Sequence, residues 1–437
     1  MSGGLVGVGG RAVAGRGGSV AGRASVAGGR PQAPVSLRDL RDIDPYAAYE
    51  QIRAIGSVVW DAGMNAWLVL SHDGCTYVER HEELFAEPTG TLPGAAEIVG
   101  RRDIRSLVGA EHDALHRPLA HAWRPDPIAV YTADAVRSLV AGRLGALAGR
   151  GRLELYADFA RLLPIAVVAR VLGLPDADAA TLDQAKGWLE AVLSWRHTYG
   201  EDPEARAAAV AATKALEPAL LDTVRARRDR PEADAISLLW ETGRGIFPDW
   251  SERDVLDNAR FLFEGGSETT AFLICNAVHM LLDHAPAQRA AWVGDHEQWR
   301  LFLEEVLRHT TVVHLRARRA TTDVVLEGVP ISAGERVIAV NAGANRDPAR
   351  WERPAAFDPG RPRLFGHLAF NVGPRHCAGA HLARLEVTEA IRTLFATLPD
   401  LERDLGGPPP ACMGFVSRAW RPLHVRITRD DTGPAGS

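Results

Sequence analysis

Cysteine is scarce in this chain, and the four that occur, Cys75, Cys275, Cys377 and Cys412, fall at no metal-cluster spacing and in no paired pattern. That excludes a disulfide framework and a fused iron–sulfur carrier, and it predicts a reducing compartment, the cytoplasm. Long hydrophobic runs are missing too. None reaches the roughly 18 residues that a membrane span requires, and the N-terminus lacks the apolar core of a signal peptide, so a soluble protein is expected. Residues 1–33 hold no Asp or Glu, only Arg11, Arg16, Arg23 and Arg30 among Gly, Ala, Val and Ser. Such a composition cannot bury a core; it predicts a disordered tail with no assigned function.

What is present is a 437-residue chain, 46% hydrophobic, with a formal net charge of -5. It is long enough for a large core, and its charge gives no general pull toward nucleic acid. Residues 34–437 show no internal repeat and no linker-like break, which predicts a single domain. Tyr46, Tyr49 and Ile52 mark a first helix; Val58 to Trp60 and Trp67 to Leu70 read as paired strands around a turn. Helical spacing dominates from about 128 to 229, with a stop at Leu172-Gly173-Leu174-Pro175. Val324–Leu326, Val337–Val340 and Leu423–Ile427 read as strands. The fold class expected is mainly α with small β-sheets (α+β).

The run Phe370-Asn371-Val372-Gly373-Pro374-Arg375-His376-Cys377-Ala378-Gly379 presents one cysteine in a turn-forming loop, and Ala380-His381-Leu382-Ala383-Arg384 opens a helix directly after it. A thiolate at a helix N-terminus is favoured by the unpaired N–H groups and dipole there, and flanking glycines let backbone amides approach the sulfur. Thiolate ligation of haem iron is served by such a loop. A lone cysteine is more often a small buried hydrophobe, but here Phe370, Gly373, Arg375 and Gly379 all fall at fixed offsets from it. The spacing F-x-x-G-x-R-x-C-x-G resembles the haem-binding signature of the cytochrome P450 family. That resemblance implies Cys377 as axial ligand of haem b (iron protoporphyrin IX), with Phe370, Gly373 and Gly379 against the cofactor.

About one hundred residues upstream, Phe261-Leu262-Phe263-Glu264-Gly265-Gly266-Ser267-Glu268-Thr269-Thr270-Ala271 interrupts a long apolar helix. Two glycines inside a helix cost about 1 kcal/mol each relative to alanine, so they need a compensating role. Gly265 and Gly266 remove side chains where a flat cofactor and a diatomic ligand would sit, and they permit a local widening of the helix. Glu268 and Thr269 supply an acid and a hydroxyl beside that groove, the pairing that relays protons to dioxygen. The plainer alternative is a kinked helix with a solvated glutamate and a threonine bonded to its own backbone. The segment resembles the A/G-G-x-E/D-T motif of the P450 oxygen-binding helix, which implies catalytic roles for Glu268 and Thr269.

Glu305 and Arg308, spaced i, i+3, can pair on one helix face, a weak signal alone. The P450 resemblance implies a buried E-x-x-R pair that braces the cysteine loop through a third basic residue. Ala356 stands where that third arm is expected, before Phe357-Asp358-Pro359, and Arg353 is the candidate to replace it. The two propionates of haem call for basic side chains from several segments. Candidates are His112, His116, Arg318 and Arg375, with His116 standing where the family has arginine and carrying a weaker, pH-dependent charge. A zinc site on His112, His116 and His121 is the alternative, disfavoured by the missing H-E-x-x-H glutamate and by Pro118. Pocket walls are expected from Leu92–Val99, Phe261–Thr269, Val312–Leu315 and Met413–Val416, with Ile98, Phe261, Val313, Leu315 and Phe415 as named contacts. They read as largely apolar.

The resemblance runs from about Pro34 to the C-terminus. It implies a soluble bacterial-type monooxygenase that inserts one atom of O2 into a hydrophobic small molecule of secondary or catabolic metabolism, by hydroxylation, epoxidation or O-dealkylation. The chain carries no flavin fingerprint and no iron–sulfur cysteine set, so electrons are expected from ferredoxin and ferredoxin reductase, docking near Arg375 and Arg384. A peroxygenase or redox-neutral haem enzyme on the same fold is the alternative. A non-catalytic haem sensor or scaffold is another, but it has no need of Glu268-Thr269.

Overall fold

Caps and apolar stripes set most of the helices where the sequence predicts them. The computed structural model describes residues 29–147 and 149–427. The tail expected over residues 1–33 therefore lies almost wholly outside the described residues. Backbone pairing of the body begins at Pro31, whose carbonyl accepts the Trp60 N–H at 2.7 Å.

The first helices are α1 (Tyr46–Ile55), α2 (His72–Arg80), the single turn α3 (Ala95–Ile98), α4 (Gly109–Ala122) and α5 (Pro125–Leu147). Next, α6 (Leu163–Leu172) stops at Gly173, whose φ of 82° is the left-handed cap that its Gly-Leu-Pro run predicts. Helices α7 (Ala179–His197), α8 (Pro203–Asp229) and α9 (Ala235–Ile246) start on Asp178, Asp202 and Asp234, each accepting N–H bonds from the first turn. The longest helix, α10 (Glu252–Leu282), opens with a capping box between Ser251 and Asp254. Then come α11 (Pro286–Gly294), α12 (His296–His309), α13 (Asn341–Ala344) and α14 (Ala380–Thr397).

The main sheet has the order β1-β2-β8-β5-β3, from β1 (Val58–Asp61), β2 (Ala66–Val69), β3 (Phe85–Ala86), β5 (Leu315–Ala320) and β8 (Arg336–Val340). Only β2 and β8 run parallel within it. A second sheet joins β4 (Arg152–Glu154), β12 (His424–Ile427) and β9 (Leu401–Arg403), so β4 interrupts the helical run expected from 128 to 229. Its partner lies some 270 residues away in sequence, beyond the reach of any local pattern. Two hairpins, β6 (Val324–Leu326) with β7 (Val329–Ile331) and β10 (Ala411–Gly414) with β11 (Arg418–Arg421), complete the mainly α, α+β architecture.

The largest core cluster is gathered around α10, most of whose side chains are buried. On α12, Glu305 and Arg308 are fully buried and joined by two hydrogen bonds of 2.7 Å. Arg308 also donates to the carbonyls of Asn345, Pro354 and Ala356, and Glu305 accepts the Asp358 N–H at 2.8 Å. The third arm is Arg361, 3.5 Å from Glu305 and bonded to the Ala356 carbonyl. Arg353 lies outside the network, exposed and paired with Asp358. The cation is thus supplied from five residues beyond Ala356, by a turn that brings Arg361 back. Because a buried charge without its partner costs about 3–5 kcal/mol, Glu305→Gln is expected to lower stability by that order; urea unfolding of the purified variant measures it.

Candidate active site

Cys377 sits in the turn before α14 rather than inside the helix, its N–H bonded to the Phe370 carbonyl at 2.8 Å. Two residues of the loop adopt positive φ, Asn371 at 64° and Gly373 at 73°. A Cβ on Gly373 would stand 2.9 Å from the Glu79 carbonyl oxygen of α2. Gly373 is therefore required by packing of the loop on α2, and it does not line the cavity. Burial raises the Cys377 thiol, while Arg316 and the Gly379 N–H work against that rise. The Phe370 ring lies under the Arg384 guanidinium, 4.4 Å from its centroid. Arg384 is held by Glu304 of α12 at 2.6 and 2.9 Å, and Glu304 also bonds His367 Nε2 at 2.9 Å.

Across a cavity of about 360 Å³ stands α10. Gly265 faces open space, since a Cβ there would meet only Phe261 at 3.9 Å. Gly266 has a different reason to be glycine: an added Cβ would come within 2.5 Å of Val168 on α6, so it permits helix packing. The expected local widening does not occur, because α10 is a continuous α-helix through both glycines. Thr269 lines the cavity with its hydroxyl donating to the Gly265 carbonyl at 2.8 Å, which leaves the oxygen lone pairs facing the cavity.

Glu268 reaches the cavity wall and also turns toward α7, where Lys186 Nζ lies 4.0 Å away. Burial raises the Glu268 carboxyl against the opposing pull of Lys186. Lys186 is fully buried, has no hydrogen-bond partner and lies 3.9 Å from the half-exposed Glu190. Burial lowers its pKa. In a sequence whose only lysines are Lys186 and Lys214, this placement is a specific choice over arginine.

The proposed cationic rim divides. Arg375 is tied to Glu82 and to the carbonyls of Ile104, Arg105 and Leu107. Arg318 is paired with the buried Glu79. Both line the cavity, but their guanidiniums already brace protein segments, and Arg375 is too buried to serve a docking surface. His116 lines the cavity and bonds the His376 carbonyl through Nε2 at 2.9 Å. His112 stacks on it and is buried; burial, with Arg375 and His116 nearby, lowers its pKa to about 4. Among the described residues no group of His, Cys, Asp and Glu can hold a metal ion, so the zinc alternative finds no support in the geometry.

Of the named pocket contacts, Phe261, Val313 and Leu315 line the cavity. Ile98 and Phe415 do not; each is buried in a separate core cluster, because the helical turn α3 and the β10–β11 hairpin that carry them turn those side chains inward. The roof is also more charged than the expected apolar wall. Glu264 of α10 pairs with Arg105, at 3.3 Å, and with Arg196 of α7. Sequence reasoning passed over Glu264, though it stands one helical turn before Glu268. It also passed over Arg316, which shares a strand face with Arg318 at i, i+2. Arg196 and Arg105 come from distant segments and left no local signal.

The family profile described as "Cytochrome P450" matches residues 299–398. Cytochrome P450 monooxygenase PikC of Streptomyces venezuelae is 31% identical over 371 residues, 83% of this chain and 86% of that protein. Cytochrome P450 105C1 of a Streptomyces species is 35% identical over 378 residues, covering 84% and 92%.

The chain belongs to the cytochrome P450 family.

Its fold agrees with that of cytochrome P450 CYP109Q5 from Chondromyces apiculatus, with a TM-score of 0.76 and 26% identity over 91% of this chain and 98% of that one. Membership implies an oxidoreductase of the monooxygenase class with a haem iron cofactor, O2 and a small-molecule substrate. The residues present fit a haem. On the cavity wall Arg316 Nε is buried without a hydrogen-bond partner, as a donor awaiting a carboxylate is, and the buried His112 Nδ1 has only the Asp113 carboxylate at 3.5 Å. Gly265 leaves its part of the cavity that Cys377 also lines free of a side chain.

The brace behind the cysteine carries a pH signature. Burial alone would raise the Glu304 carboxyl, but Arg384 and His367 hold it down to about 2. A carboxyl whose folded pKa is depressed contributes stability that is present above its unfolded value, 4.5, and is lost as pH falls toward 2. Stability measured by urea unfolding from pH 6 down to pH ~3 is expected to fall less steeply in Glu304→Gln than in the wild type.

Proposed function

We propose that this P450 inserts one atom of O2 into a small molecule with a hydrophobic body, by hydroxylation, epoxidation or O-dealkylation, using haem b and electrons from a ferredoxin and its reductase. The observation that carries this reading is the placement of the Cys377 thiol and the Thr269 hydroxyl on facing walls of one cavity. Cys377 would bind the haem iron through its thiolate, and His112 and Arg316 would take the propionates, with His116, Arg318 and Arg375 fixing the rim around them. Bound haem supplies the reductive activation of dioxygen and the transfer of one oxygen atom.

The chain's own work is to hold the substrate, control water and deliver protons. Thr269 can accept a hydrogen bond from water while its O–H stays on the Gly265 carbonyl. Glu268, raised by burial, holds a proton more readily than an exposed glutamate, and Lys186 with Glu190 links it toward the surface. The apolar contacts Phe261, Val313 and Leu315 take the substrate body, and the Arg105–Glu264–Arg196 roof can orient a polar substituent on it. No helix of the described residues is long and apolar enough to cross a membrane, in keeping with a cytoplasmic enzyme. The electron donor fits the face that carries Arg384, with Arg300 and Arg392 around the same depression.

Two expected outcomes test the assignment. Cys377→Ala should lose the long-wavelength absorption of the reduced carbon monoxide complex that marks thiolate ligation, while variants of Cys75, Cys275 and Cys412 keep it. Thr269→Ala should retain the affinity of a ligand found by spectral-shift screening yet release several-fold more peroxide per NADH oxidised. Unchanged peroxide release in both Thr269→Ala and Glu268→Gln would remove these residues from proton delivery.

A further inference from the structure

The roof of the cavity joins α7 to α10 through one carboxylate. Glu264 of α10, its side chain only 3% exposed, accepts hydrogen bonds from Arg105, at 3.3 Å, and from Arg196 of α7. Arg105 is fully committed. Its Nε and Nη2 donate to the buried Asp103 at 2.8 and 2.7 Å, and its guanidinium lies over the Phe261 ring. Arg196 is not. Its Nη1 bonds Glu264, but its Nε and Nη2 make no hydrogen bond with any described residue, and the side chain stays 30% exposed where it lines the cavity.

The spare capacity of this roof is therefore on the donor side. Both Glu264 oxygens already face guanidinium groups, which repel a substrate ammonium, whereas Arg196 keeps two N–H groups to give. The roof charges that line the cavity are Arg105, Arg196 and Glu264, one positive charge in sum; Asp103 holds Arg105 from behind and does not line it. His197, next on α7, lines the cavity as a neutral imidazole, because burial, with Arg196 and Arg41 nearby, lowers its pKa to about 3. A monoanion balances that sum, and a phosphate monoester at about -2 overshoots it. The Nε–H and one Nη–H of a guanidinium run parallel at the spacing of the two oxygens of a carboxylate.

We propose that Arg196 determines specificity by taking the carboxylate of the substrate, which makes the substrate class a hydrophobic carboxylic acid. The Nε and Nη2 edge donates both hydrogen bonds while Nη1 stays on Glu264, and the hydrocarbon body lies on Phe261, Val313 and Leu315. Thr269 stands five residues beyond Glu264 on α10, about 7–8 Å further along the helix axis. Oxygen transfer then falls on a carbon remote from the carboxylate. The inference rests on the monooxygenase reading of this cavity.

The test uses purified haem-loaded enzyme and calorimetric titration with decanoate, decanamide and decyltrimethylammonium, and with cyclohexylbutyrate and its amide as a bulkier pair. Wild type should bind the acid of each pair at least about ten-fold more tightly than the amide, as a charge-assisted pair provides, and the quaternary ammonium most weakly. Arg196→Gln should lose that preference while its haem content and reduced carbon monoxide spectrum hold. Arg196→Lys should recover only part of the preference, because an ammonium cannot reproduce the fork. Glu264→Gln frees Arg196 from a competing carboxylate, so it should bind the acids more tightly than wild type, a gain that a merely structural role for the roof does not produce. No preference for acids in wild type, or an equal preference in Arg196→Gln, overturns the proposal. So does loss of haem from Arg196→Gln, which would place Arg196 on a propionate. Calorimetry needs no turnover, so the two readings fail separately: a wild type without the thiolate band removes the monooxygenase reading, whereas a normal band without acid preference removes only the role of Arg196.

Discussion

The hydrogen bond from the Cys377 N–H to the Phe370 carbonyl closes the loop on which the site depends. A sulfur that must meet a metal from one direction cannot ride on a free loop, and three helices hold this one. Gly373 lets the loop settle on α2, where Glu79 accepts a hydrogen bond from Asn371 at 2.8 Å. From α14, Arg384 covers the Phe370 ring, and Glu304 of α12 fixes Arg384. The Glu305–Arg308 pair sits one residue along α12 from Glu304 and anchors the segment from Pro354 to Arg361 that precedes the loop. Adjacent glutamates on one helix thus brace two parts of the same approach to Cys377. Each is buried and charged, so each depends on its arginine partner remaining in place.

The recognisable part of the site was the part written in short spacing. Cys377, Gly265, Glu268, Thr269, Glu305 and Arg308 are each fixed by neighbours within a few residues, through a turn, a helix face or a glycine. The fold class was legible for the same reason, since capping aspartates and the Gly173 stop act locally. What escaped was set by tertiary return of the chain. Arg361 replaces the arm missing at Ala356 because a turn folds it back onto Glu305. Ile98 and Phe415 are hydrophobic at positions where the chain path, invisible in the sequence, directs them into other cores. Gly266 looked like a second cofactor glycine, and its requirement comes from Val168 on a helix almost one hundred residues earlier.

The charged groups around the cavity sort by whether their hydrogen-bonding capacity is met. Arg318 on Glu79, Arg375 on Glu82 and Arg105 on Asp103 and Glu264 have partners built into the chain, and they hold walls. On the cavity wall Glu87 Oε2, His112 Nδ1, Arg316 Nε and Glu386 Oε2 make no hydrogen bond, although Arg318 lies 4.0 Å from Glu87 and Asp113 lies 3.5 Å from His112. A buried polar atom without a partner is destabilising by about 1–3 kcal/mol, so four around one cavity mark a place where stability has yielded to function. Two of the four are cations or neutral imidazole facing the cavity, suited to carboxylates of a cofactor. The other two are the acids Glu87 and Glu386. Burial pushes the Glu386 carboxyl up, and behind the wall on α7 it pushes the Lys186 ammonium down. Both shifts favour the neutral form, because a dry interior penalises charge on a group that lacks a close partner of opposite sign.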